Sequence, residues 1–173
     1  MNKKFLLLIL ILIAGTTGLY AYLGGFNTPT VQVSTSKTYY VAGRSYVGLV
    51  DEKALGELFR EAAKILEKKT LQGSLANIYY NNPEQQQDSI KAFVGISITD
   101  TTAALPAGYE LRTVVGGKKV VQATVRAHYF LSPDKLYPAL FDYIKQNRLQ
   151  TTQRYLEVFP NQRQALVQAE IIP

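Results

Sequence analysis

Cysteine and tryptophan are absent from these 173 residues, and histidine and methionine occur once each. Without cysteine there is no disulfide framework, no thiolate nucleophile and no sulfur-ligated metal site. With His128 as the sole histidine, histidine-cluster metal sites and two-histidine mechanisms are excluded as well. The sequence has no G-x-G-x-x-G element, no phosphate loop and no paired-carboxylate metal motif, so it points to no cofactor and no metal. Blocks of like charge are also missing. The formal charge of +6 includes Lys3 and Lys4, and the other charges are dispersed, a pattern that does not suggest nucleic-acid binding.

The most conspicuous feature present is a charge-free run at residues 5–23, behind the basic flank Lys3-Lys4. At about 1.5 Å per residue a helix of this length approaches the ~30 Å hydrocarbon core of a bilayer. Tyr20 and Tyr22 fall where an interfacial aromatic belt would lie. Residues 1–26 are therefore read as an N-terminal membrane anchor, with a cleaved signal peptide as the alternative. The bilayer is the expected partner of residues 5–23. The lysine bias puts the N-terminus in the cytoplasm and residues 27–173 outside, or in a secreted or periplasmic form after signal cleavage.

Residues 27–173 are long enough for one domain with its own core. A β-rich stretch runs from residue 31 to 50, with a bulge or turn expected at Ala42-Gly43-Arg44. Asp51 can cap a helix whose apolar face is Leu55, Leu58, Phe59, Ala62, Ala63 and Leu66, closed by Gly73. A short strand at 75–80 stops at Asn81-Asn82-Pro83, and residues 84–88 form a polar loop. In the next strand Ile90, Ala92, Val94, Ile96 and Ile98 share one face. Gly116-Gly117 between two β-rich runs predicts a hairpin. Ser132-Pro133 reads as a helix start with serine as cap, and Pro138 distorts that helix or marks a later start. Strands at 154–159 and 165–172 follow.

The pattern occurs twice. Leu58-Phe59 recurs as Leu140-Phe141, and Ile78-Tyr79-Tyr80-Asn81-Asn82-Pro83 recurs loosely as Tyr155-Leu156-Glu157-Val158-Phe159-Pro160. Each half reads strand–helix–strand–strand. The expected fold is α+β: duplicated modules forming an antiparallel-rich sheet with two helices on one side. A seam between two modules is a natural ligand site. In this alignment Tyr80 corresponds to Glu157.

With Tyr46-Val47-Gly48-Leu49, Ala92 to Ser97, Val120 to Tyr129 and Tyr155 to Phe159 in this order, residues 31–172 resemble the GyrI-like small-molecule-binding domain superfamily. The first part is also similar to a membrane-anchored autophagy-receptor-like subgroup of it. That subgroup's partner motif lies in a tail that residues up to Pro173 do not match, so its partner is not carried over. The resemblance implies a seam pocket for aromatic or cationic compounds, with Glu157 as its acidic residue. Tyr80, Tyr46, Phe93, Tyr109 and Tyr129 are the candidate aromatic walls. A salt-bridged sheet glutamate is the plainer reading of Glu157, and ordinary sheet packing that of the tyrosines. Alternation places Tyr155, Glu157 and Phe159 on one face, and Leu156 and Val158 on the other.

The function expected from this reading is membrane-tethered binding or sensing of a small hydrophobic, aromatic or cationic molecule. Two alternatives stay open: an interaction module for a membrane or envelope protein, and a hydrolase of small electrophiles. In the second, Glu157 would activate water and Tyr80, Tyr109 or Tyr129 would donate a proton.

Overall fold

A computed structural model describes residues 3–49, 52–83 and 89–172. Its elements are α1 (Lys3–Tyr22), β1 (Thr30–Thr35), β2 (Tyr39–Gly48), α2 (Lys53–Glu67), β3 (Gly73–Tyr79) and β4 (Ile90–Ile98). They are followed by β5 (Glu110–Val114), β6 (Lys119–Val125), α3 (Pro133–Gln146), β7 (Thr151–Asn161) and β8 (Gln164–Ile171). All eight strands form one antiparallel sheet in the order β1-β6-β8-β7-β3-β4-β2-β5. The α+β class is as expected.

Two short links fix the shape of this sheet. β1 lies at one edge and β2 next to the other, yet only residues 36–38 join them. In a flat sheet with ~4.8 Å strand spacing the two strands would be about 29 Å apart. Three linking residues reach only about 14 Å. The sheet must therefore curl until its two ends approach. The β5–β6 link makes the same crossing in reverse, and the two links bond where they meet. The Ser36 N–H donates to the Lys118 carbonyl and the Gly117 N–H to the Ser36 carbonyl, both at 2.8 Å.

Gly116-Gly117 is therefore not a hairpin turn. β5 pairs with β2, and β6 pairs with β1 and β8. A Cβ on Gly116 would overlap the Lys37–Thr38 backbone, and Gly117 has φ +81°. The glycines serve a crossing of chains rather than a reversal.

The curl separates two apolar layers. Inside it lie Tyr39, Val41, Ala76, Ile78, Phe93, Leu156 and Val158, buried with no helix over them. On the other face Leu55 of α2 and Leu136, Tyr137 and Leu140 of α3 share a cluster with Ala92, Val94, Val121 and Val167. α2 rests on β4, β2 and β3, and α3 on β6, β8 and β1. Ile90, Ala92, Val94, Ile96 and Ile98 line the helix side together, as their alternation predicts.

Both helices end in the same way. Lys69 and Arg148 adopt left-handed backbone (φ 56° and 51°) just past the helix. Around each, the backbone makes the paired six-to-one and five-to-two bonds that terminate an α-helix: Thr70 to Ile65 and Lys69 to Leu66, then Leu149 to Ile144 and Arg148 to Lys145.

Several local expectations change. The 31–50 stretch breaks at 36–38, and Ala42-Gly43-Arg44 stays in regular register with no bulge. A Cβ on Gly43 would overlap the Val94 carbonyl, so the glycine serves close strand approach. Gly73 opens β3 instead of closing α2. The Ser132 hydroxyl makes no cap bond and donates back to the Ala127 and His128 carbonyls at 3.2 and 3.1 Å. α3 begins at Pro133 and carries Pro138 within it. Asp51 and the 84–88 loop lie outside the described residues.

Candidate functional site

β3 and β7 pair at the middle of the sheet, between the strands that carry α2 and those that carry α3. Asn77 stands opposite Glu157 and Tyr79 opposite Tyr155, all on the helix side. The residues between them, Ile78 and Leu156, face the enclosed side. The alternation read around Glu157 thus holds, and it is the Glu157 face that looks toward the helices.

Glu157 is 4% exposed. Its Oε2 accepts a hydrogen bond from the Asn77 side-chain amide at 3.0 Å. Burial raises the carboxyl pKa above the ordinary 4.5, opposed by Asn77 and by the hydroxyls of Tyr137 and Tyr79, which favour the charged form. The Tyr137 hydroxyl is buried and close enough for that influence, but among the described residues it meets hydrogen-bond geometry with no partner. Burial, and then the Glu157 charge, in turn hold both tyrosine hydroxyls well above the usual phenol range. Among the described residues no lysine or arginine forms an ion pair with Glu157.

Aromatic rings surround this carboxyl group. Tyr137, Phe141 and Tyr155 meet at centroid distances of 5.7–5.9 Å. Tyr137 and Tyr155 are buried, and Phe141 is partly exposed beside them. Leu58 and Phe59 of α2 and Phe141 of α3 pack at the margin of the same cluster. The site is thus one buried carboxyl group in a tyrosine-rich wall between two helices. Such a carboxylate attracts a cation, and the ring faces add to that attraction.

The sequence candidates are scattered around this centre. Tyr80 is 38% exposed and lies away from Glu157, where its hydroxyl accepts a bond from Arg112 Nη1 at 2.7 Å. Arg112 also donates to Ser45 Oγ at 2.8 Å and lies over the Phe93 ring at 4.1 Å. Phe93 itself is fully buried inside the curl. Tyr46 lies in the helix-side cluster, with its hydroxyl bonded to the Leu49 carbonyl at 2.7 Å and to Glu52 at 2.9 Å. Tyr109 packs below α2, its pKa pushed up to about 12 by burial and then by Glu61. Tyr129 stacks on His128 and Phe130 in the turn before α3.

The structure therefore places Tyr79, not Tyr80, beside Glu157. Neighbouring residues of an extended chain point to opposite faces, so Tyr80, next to Tyr79, points away from Glu157. Asn77, Tyr79, Tyr137, Phe141 and Tyr155 join Glu157 without having been singled out. Tyr155 was accessible from alternation with Glu157, and Tyr137 and Phe141 from the apolar stripe of α3. Two clefts lie elsewhere: one of about 770 Å³ bounded by Phe26, Arg126 and Gln164, and one of about 120 Å³ bounded by Lys118, Arg154 and Gln168.

No protein-family model matches the sequence, and no curated protein matches it. Solved structures do match. An integron cassette protein from the mobile metagenome of Vibrio cholerae aligns with a TM-score of 0.64 and 12% identity, covering 84% of this chain and 99% of that one. SAV2435, solved bound to tetraphenylphosphonium, aligns at 0.59 and 9%, covering 83% and 94%. The EcmrR C-terminal domain aligns at 0.55 and 10%, covering 84% and 98%. At these identities the likeness concerns the fold, and none of it supports the membrane-anchored subgroup. The chain shares the fold of these three proteins.

Proposed function

We propose that this chain is a membrane-tethered domain that binds a small lipophilic or aromatic cation at the seam between α2 and α3. Duplication of a strand–helix–strand–strand unit is part of this reading. It is supported by the strand order, which mirrors about the β3–β7 pair. The observation that carries the proposal is Glu157: a buried carboxyl group beside tyrosines, with no basic side chain paired to it among the described residues. A buried carboxylate left without a cation costs several kcal/mol, on the order of what an incoming cation would recover. The structural neighbour SAV2435 binds tetraphenylphosphonium, a ligand of this chemistry. The tether is supported by α1, a 20-residue apolar helix with no buried residue.

Phe59 and Phe141, partly buried at the margin of the cluster, are the side chains that would move to admit the cation. Equilibrium dialysis of the full chain in nanodiscs, against tetraphenylphosphonium and a neutral aromatic of similar size, tests the proposal. The cation is retained and the neutral compound is not. Equal retention of both would remove the role given to Glu157.

A further inference from the structure

α1 is not joined to the domain by a loose linker. The Leu23 carbonyl accepts the His128 N–H at 2.8 Å, and the Asn27 side-chain amide donates to the Arg126 carbonyl. Lys135 Nζ donates to the carbonyls of Gly25 and Asn27. Gly24 is buried at φ +78°, where a Cβ would overlap the Arg126 carbonyl, so the fit requires glycine. On the opposite flank the Arg163 guanidinium, in the β7–β8 turn, lies 4.1 Å from the centre of the Tyr22 ring. Three separate segments of the domain thus hold the end of α1.

The chain also folds back toward the helix. The Gly25 N–H bonds the Tyr20 carbonyl at 2.8 Å, and Phe26 meets the Tyr20 ring edge-on at 5.0 Å. Phe26, 65% exposed, therefore lies level with Tyr20. Two residues beyond the His128 bond, Phe130 is 72% exposed and stacked with His128 and Tyr129. Aromatic side chains exposed around the end of an apolar helix, with Arg126 and Arg163 among them, match the chemistry of the lipid headgroup layer. Rings of this kind lie at the headgroup level, and arginine stems reach along it to phosphates.

We propose that residues 126–130 and the β7–β8 turn at 162–163 rest in the headgroup layer of the bilayer that holds α1, so that the domain keeps one orientation on the membrane. This rests on the membrane tether in the proposed function and is independent of the ligand. Arg163 lies six positions beyond Glu157 along β7 and its turn, which puts the carboxyl group within about 20 Å of the lipid surface. A cation that partitions into the bilayer would then be concentrated near the seam.

The lack of native cysteine permits single-cysteine variants of the full chain, labelled with an environment-sensitive fluorophore in nanodiscs of phosphatidylcholine and phosphatidylglycerol. Ile11→Cys reports α1, Phe130→Cys and Gln162→Cys the seat, and Lys119→Cys the far end of β6. The proposal expects blue-shifted emission at 11, 130 and 162, quenching by headgroup-region nitroxide lipid at 130 and 162, and water-like emission at 119. Adding Lys135→Gln loosens the junction and reverses the shift at 130 and 162 while leaving that at 11. If 11 is in lipid but 130 and 162 are as aqueous as 119, the seat is refuted and the tether stands. If 11 is aqueous, both fall. A blue shift at 130 that ignores the nitroxide marks burial against protein, including a second copy, and also overturns the proposal.

Discussion

Glu157 sets the behaviour at the scale of single residues, because among the described residues no basic side chain pairs with it and burial raises its pKa. In the unfolded chain the carboxyl ionises near 4.5, and in the folded chain above that. The folded state therefore keeps a proton over a pH range in which the unfolded state has lost it. This group's contribution to stability is fully present below about 4.5 and is lost as pH rises through the folded value. Glu157→Gln removes that dependence. Thermal unfolding should show the variant close to wild type at pH 4.5 and more stable by about pH 7.5; a constant difference at all pH values would mean that Glu157 is solvated. Asn77→Ala removes the amide that donates to the carboxylate and is expected to cost about 1–3 kcal/mol near neutral pH by urea unfolding. The same substitution in a Glu157→Gln background should cost less. Tyr137→Phe removes a hydroxyl that favours the charged form of Glu157, so thermal unfolding should show a larger loss of stability relative to wild type at about pH 7.5 than at about pH 4.5.

At the scale of elements, the helix ends supply a stabilisation that the chain does not use. Lys69 and Arg148 hold a left-handed conformation that costs a non-glycine residue about 1 kcal/mol. Lys69→Gly and Arg148→Gly should each raise the unfolding free energy read from urea titration by about that amount, additively, because the sites are on separate helices. Neither basic side chain announced this in the sequence, since the usual marker, glycine, is missing. What was legible was periodicity. The stripe of α2, the Ile90–Ile98 alternation and the shared face of Tyr155 and Glu157 all follow from side-chain spacing, and all are present. Register was not legible. Tyr79 and Tyr80 are chemically alike, so only strand pairing could decide which one faces Glu157. Ser132-Pro133 gave the start of α3 correctly but not the serine's bonds, because nearby carbonyls compete for its hydroxyl.

For the whole molecule, the curl of the sheet is the feature sequence reading could not supply. Local signals make Gly116-Gly117 a hairpin. The true partners of β5 and β6 are distant in the chain, and the glycines are needed where two links cross. The fold class was still readable, because two helix stripes among β-rich runs leave few layered solutions. Phe93, read as a pocket wall, packs inside the curl, so Phe93→Ala should destabilise by about 3–5 kcal/mol while ligand preference among folded molecules is unchanged. The two faces of the curled sheet thus divide the work, one supplying the core and the other the seam over Glu157. Calorimetric titration of the full chain in nanodiscs with tetraphenylphosphonium at pH 4.5, repeated in buffers of different ionisation enthalpy, reads the protons released on binding. Burial favours the protonated form of Glu157 and a paired cation favours the charged form, so binding at that pH is expected to release protons. The expected result is binding with net proton release in wild type, and no release with at least about tenfold weaker binding in Glu157→Gln, a loss of ~1.4 kcal/mol. Equal affinity and unchanged proton release in the two proteins would place the ligand somewhere other than the seam.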